Sequence, residues 1–165
     1  RAAQFASRVV DLTELLANHI DDLKRASSRA GSGSEAGLHS IERATFHDAC
    51  HLAHAQRVVH PPRRLMRAFA GEAFVEMPES DVCCGSAGTY NLTEPEMAKR
   101  LQQRKIDNIL KSGAAVVVTT NPGCLLQIQA GLRERAAAAG RDPKAVRALH
   151  IADYLWEFLA RKFHA

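Results

Sequence analysis

AAVVVTTNPGC, residues 114–124, runs three valines and two threonines together, breaks at Asn121-Pro122-Gly123, and meets a cysteine. Unbroken β-branched residues without polar alternation predict a strand over residues 114–120 that is covered on both faces. Asn-Pro-Gly reads as a turn, and proline suits the first position of a helix because that position needs no N–H. A helix is therefore expected over residues 122–139, closed by Gly140. Cys124 falls in its first turn, just past the end of the strand.

The same alternation continues outward in both directions. Towards the N-terminus, Thr93 and Glu96 have the spacing of a capping box for a helix reaching Lys111 and ended at Gly113. Residues 72–77 and 43–48 (RATFHD) are short strand candidates. Between those two, residues 50–59 can be helical, stopped by Pro61-Pro62, and residues 63–70 form a second short helix ended at Gly71. Towards the C-terminus, residues 146–150 make a weak strand and residues 151–163 a closing helix, in which Trp156, Phe158, Leu159 and Phe163 read as packing residues. Strands alternating with helices imply crossover connections and a parallel sheet. The expected fold is a three-layer α/β domain with a roughly four-stranded, mainly parallel sheet and flanking helices, of Rossmann or flavodoxin-like type.

Ahead of this domain, Val9, Leu12, Leu15, Leu16, Ile20 and Leu23 recur at steps of three and four, predicting a leading helix within residues 1–26. Residues 27–43, rich in Ser, Gly and Ala, read as a flexible connector, which leaves residues 44–165 as the main domain. The chain opens at Arg1 without a charged-then-apolar leader, which suggests a piece of a longer polypeptide in the cytoplasm. With 165 residues, 46% hydrophobic and 24% charged, the composition is that of a globular domain. No apolar run approaches the ~20 residues of a membrane span. Net charge is +4 and only 5% of residues are aromatic, which argues against a nucleic-acid platform. Lys99, Arg100, Arg104 and Lys105 recur at helical spacing and read as a solvated face, with docking to a partner subunit as the sharper alternative.

The four cysteines carry the chemical information. Cys50 follows the first strand candidate, Cys83 and Cys84 lie in the loop after the second, and Cys124 follows the third. In a parallel sheet all strand C-termini share one edge, so thiols far apart in sequence are expected to converge there. A lone cysteine is usually a small buried hydrophobe. Four of them at strand ends suit thiolates, stabilised at helix N-termini, that hold a soft metal or an iron–sulfur cluster. Adjacent cysteines bridge each other only with strain, which disfavours a disulfide. Gly85, Gly88 and Gly123 would let the backbone approach and aim N–H groups at sulfur. His47, His51 and His54 flank Cys50. His54 reads as a surface residue, whereas His47 and His51 are open as metal ligands or as a base for a nucleophilic Cys50.

HDACHL, VCCGSAGTYNL and TTNPGCLLQI, in this order and spacing, resemble the cysteine-rich CCG domain of heterodisulfide reductase, lactate-utilisation and glycolate oxidase iron–sulfur proteins. The likeness is greatest to the glycolate oxidase subunit. It implies an iron–sulfur electron carrier without substrate-converting residues, with Cys50, Cys83, Cys84 and Cys124 as ligands and Gly85 and Gly123 beside the cofactor. It further implies an upstream ferredoxin-like region and a first CCG half, FAD in partner subunits, and a peripheral place on the inner face of a membrane through those partners. The family motif ends in C-x2-C, whereas Gln127 stands at the second position here, so five thiolates become four. Four suffice for a [4Fe-4S] cluster, or for zinc in an assembly module.

Overall fold

A computed structural model of the chain describes residues 1–29 and 42–160. Three strands, β1 (Ala44–His47), β2 (Val116–Thr119) and β3 (Arg147–His150), pair in parallel in the order β1-β2-β3. The valine run is the central strand, and every residue of β1 and β2 is buried, as expected for a sheet covered on both faces. Eight helices accompany the described strands: α1 (Ala2–Ala6), α2 (Leu12–Asn18), α3 (Ile20–Arg29), α4 (His60–Ala70), α5 (Tyr90–Thr93), α6 (Pro95–Ser112), α7 (Pro122–Ala138) and α8 (Ile151–Ala160).

The pleat of the sheet sorts the core into two layers. Phe46, Val116 and Val118 pack against Leu65 and Met66 of α4, Tyr154 and Leu155 of α8, and Ala17 of α2. Val117 and Ala148 lie in the other layer, against Ile106 and Ile109 of α6 and Ile128 and Leu132 of α7. The three-layer parallel α/β expectation therefore holds, with three strands among the described residues where roughly four are expected. Segment 72–77 makes a single bridge, Phe74 to Ala44, with Val75 N–H donating to the Ala44 carbonyl at 2.9 Å. Beyond it Glu76 turns aside to Arg63 (2.9 Å), and Pro78 has no N–H to extend a ladder.

Other elements differ in ways local chemistry explains. The leading helix is three pieces, because Asp11 and Glu14 form a capping box that starts α2 afresh and His19 leaves the helical region. Pro61 and Pro62 begin α4 instead of stopping its predecessor, since first-turn N–H groups have no helical partner to lose. Residues 50–59 form a wide turn over His51–Ala55, closed by Gln56 N–H to the His51 carbonyl at 3.1 Å, instead of an ordinary helix. The Thr93–Glu96 capping box does not form: Pro95 opens α6, and the Thr93 hydroxyl donates back to the Thr89 carbonyl at 3.4 Å. Phe158 packs edge-on against Tyr154 and Phe69 as expected, whereas Trp156 is 62% exposed. Most of the connector and residues 161–165, including Phe163, lie outside the described residues.

Candidate metal centre

β1 and β2 end on the same edge, and each delivers a cysteine shortly afterwards. Cys50 stands at the entry of the wide turn after β1. Cys124 lies in the first turn of α7, where Asn121 caps the helix by accepting the Cys124 N–H at 3.0 Å. Asn121 also lies 3.5 Å, Nδ2 to Nδ1, from exposed His51, which ties the two strand ends together.

Without a strand to aim it, the loop carrying Cys83 and Cys84 is fixed by side chains and caps. Asp48 N–H, just after β1, donates to the Ser80 carbonyl at 3.1 Å. Arg63 reaches both oxygens of buried Asp48 (2.9 and 2.7 Å) and the Ser80 hydroxyl (3.1 Å). His54 lies 3.2 Å from the Asp81 carbonyl through Nε2, a loop-tying contact for an otherwise exposed histidine. On the far side, Gly85 adopts φ +91°, and a Cβ there would stand 2.3 Å from the Ala98 carbonyl oxygen of α6. Only glycine fits that approach. A Cβ on Gly123 would press on the Ser86 hydroxyl at 3.0 Å, so the same loop also docks on the start of α7. Gly88 has no atom within 4 Å of its missing Cβ and makes no comparable approach.

The result is a buried cluster of donors. The Sγ atoms of Cys84 and Cys124 and a ring nitrogen of His47 all lie within 4.8 Å of one another. His47 ends β1 on the same face as Val117 and is fully buried, and neither ring nitrogen finds an oxygen or nitrogen partner. Sequence left His47 open; its parity with Thr45, opposite to Phe46, is the signal that turns it towards α6 and α7. His51 and His54 stay outside the cluster.

Cys50 and Cys83 stand outside this close group, though near enough for their charge to be felt by Cys124. A hydrogen bond from Cys124 holds the Cys84 thiol well below its usual range, against the cost of burial, with His47 and the Ser86 N–H adding to it. Cys124 keeps the proton: its bond to Cys84 and its burial push it up, and negative charge on Cys84, Cys50 and Cys83 pushes it further. Burial raises Cys83, the Gly85 N–H at 3.3 Å offsets part of this, and Cys84 and Cys50 raise it again. Of the pair, Cys84 is the thiol held low, chiefly by the hydrogen bond from Cys124. Ionising all four thiols at once is opposed by their mutual repulsion, which a thiophilic cation removes. Soft donors, a buried imidazole with no oxygen or nitrogen partner and closely docked backbone fit a metal or an iron–sulfur group.

A parallel α/β layer structure with a thiol-rich rim at its C-terminal edge is the class that this fold and site define. The chain belongs to the family of cysteine-rich CCG domains, whose pattern matches residues 44–129, just over half of its length. The resemblance carried by HDACHL, VCCGSAGTYNL and TTNPGCLLQI is borne out at that level. The chain is 35% identical to the "Probable glycolate oxidase iron-sulfur subunit" of Bacillus subtilis (strain 168), over 98% of this chain and 33% of that protein. It is 33% identical to a subunit of the CoM/CoB fumarate reductase of Methanothermobacter marburgensis, over 88% of this chain and 27% of that protein. "Lactate utilization protein A" of Bacillus subtilis (strain 168) is 27% identical over 94% of this chain and 58% of its own length. The chain thus spans between about a quarter and a third of the length of the first two relatives.

Proposed function

We propose that this chain is an iron–sulfur electron-transfer domain of a 2-hydroxy-acid oxidoreductase complex of the glycolate oxidase type. The observation that carries the reading is the meeting of donors from three separate segments at one sheet edge, His47 ending β1, Cys84 in the loop before α5 and Cys124 in the first turn of α7. Cys50, Cys83, Cys84 and Cys124 would hold a [4Fe-4S] cluster. When bound, such a cluster supplies one-electron storage and release, so no acid or base of this chain need act on substrate. Cys84 presents a ready thiolate, and Cys124 must lose its proton on ligation. Gly85 and Gly123 keep the loop and α7 pressed round the sulfurs, which limits water and helps set the potential.

Two relatives are named as subunits of an oxidase and a reductase, which supports partner subunits for this chain as well. Electrons would arrive from flavin-containing subunits and, through an upstream ferredoxin-like region and a first CCG half, leave to a membrane quinone. Among the described residues no helix is long and apolar enough to cross a membrane. In this reading the complex is cytoplasmic and meets the membrane's inner face through partners. Zinc is the second reading, favoured by the His47–Cys84–Cys124 grouping, to which one further thiol would add the fourth tetrahedral ligand of an assembly module.

Single variants purified without oxygen test the ligand set. Cys84→Ser and Cys124→Ser are each expected to lose most of the parent's iron while keeping its circular dichroism spectrum. Iron at the parent's level in either would remove that cysteine from the set.

A further inference from the structure

Lys105 belongs to no solvated face. It is 1% exposed, the one buried lysine or arginine among the described residues, on the α6 stripe that runs Ala98, Gln102, Lys105 and Ile109. Its Nζ donates to the carbonyls of Glu79 and of Ser80, the latter at 3.2 Å. Those two residues stand shortly before Cys83 and Cys84, and both carbonyls also accept backbone N–H groups, from Val82 and Asp48 respectively. The stem therefore passes through apolar core to place an ammonium under the loop that bears the adjacent cysteines.

Carbonyls could be satisfied by a neutral donor, and a buried cation is costly unless negative charge faces it. We propose that Lys105 is the fixed countercharge of the thiol centre, a positioning residue that raises the electron affinity of the group held there; this rests on the iron–sulfur reading above. A positive charge that stays in place stabilises the more negative, reduced state over the oxidised one. Burial lowers the Lys105 pKa to about 8, while Cys84, Asp48, Asp81 and Glu79 each pull it back up, so the ammonium form prevails at neutral pH. Arg104, one residue earlier, cannot stand in for it, because its guanidinium is on the surface with the Glu79 carboxylate.

The test is potentiometry on the 165-residue chain, purified anaerobically, with the reduced signal followed by electron paramagnetic resonance. Lys105→Gln keeps a donor for one carbonyl, and Lys105→Met keeps only the stem. Both are expected to retain iron and to shift the electron-uptake equilibrium about tenfold against reduction, about 59 mV more negative for a one-electron couple. A purely structural clamp would leave the potential of Lys105→Gln at the parent's value, and that result overturns the proposal. Loss of iron from both variants contradicts it as well, since a countercharge tunes the group without being needed to hold it. A parent chain without iron defeats the iron–sulfur reading itself, whereas an iron-loaded parent with unmoved variants defeats only the role of Lys105.

Discussion

Gly85 has the least freedom of any residue round the thiols. Its φ of +91° lies where L side chains are strained, and the Ala98 carbonyl of α6 occupies the place of its Cβ. Gly85→Ala is expected to cost about 2 kcal/mol or more in urea denaturation and to lower metal content, because the loop must lift from α6. A variant as stable as the parent, with full metal, would show that the loop relaxes without cost. Arg63 acts from the other side of the same loop. Burial pushes the Asp48 carboxyl up, yet the Arg63 guanidinium beside it holds it below the usual carboxylate range. The side chains are 13% and 4% exposed, so removing one partner strands a charge. Arg63→Met should therefore destabilise by about 3 kcal/mol, measured by the same denaturation, and a change within about 0.5 kcal/mol would place the pair among surface-like bridges.

At the scale of elements, α6 is a brace. It supplies Ala98 to Gly85, Lys105 to two carbonyls, and Arg104 and Asn108 to the Glu79 carboxylate. Arg104 and then Asn108 hold the Glu79 carboxyl down at about 2, against 4.5 ordinarily. A lowered folded-state pKa means that this contribution to stability is fully present above about pH 4.5 and is lost as pH falls towards 2. The difference in urea midpoint between parent and Glu79→Gln should thus hold steady from neutral pH to about 5 and shrink below. A gap that stays constant down to about pH 2 would contradict the brace. The sequence showed α6 as a helix but hid its function. Charge alone groups Lys105 with Arg100 and Arg104, whereas its spacing of three from Gln102 and four from Ile109 puts it in the buried stripe. The valine run was legible because burial on both faces needs unbroken β-branched residues. Segment 72–77 was not, since its composition suits a strand while its single bridge depends on Arg63 and Pro78, which compete from outside it.

Across the whole molecule, the strand ends bring chemistry together that the chain keeps apart. From Cys50 to Cys124 the donors span nearly half the polypeptide, yet Cys84, Cys124 and His47 meet within 4.8 Å. The edge was readable from sequence because parallel topology alone fixes where strand C-termini go. Which thiol of the pair is held low was not readable: it depends on Cys124 donating to Cys84, a product of packing. The account rests on that edge holding iron and sulfide. The most direct measurement is iron, zinc and acid-labile sulfide per chain after anaerobic purification, with electron paramagnetic resonance before and after reduction. A brown protein with about four iron and four sulfide per chain and a signal that responds to reduction is expected. A colourless protein with stoichiometric zinc and no sulfide would contradict it.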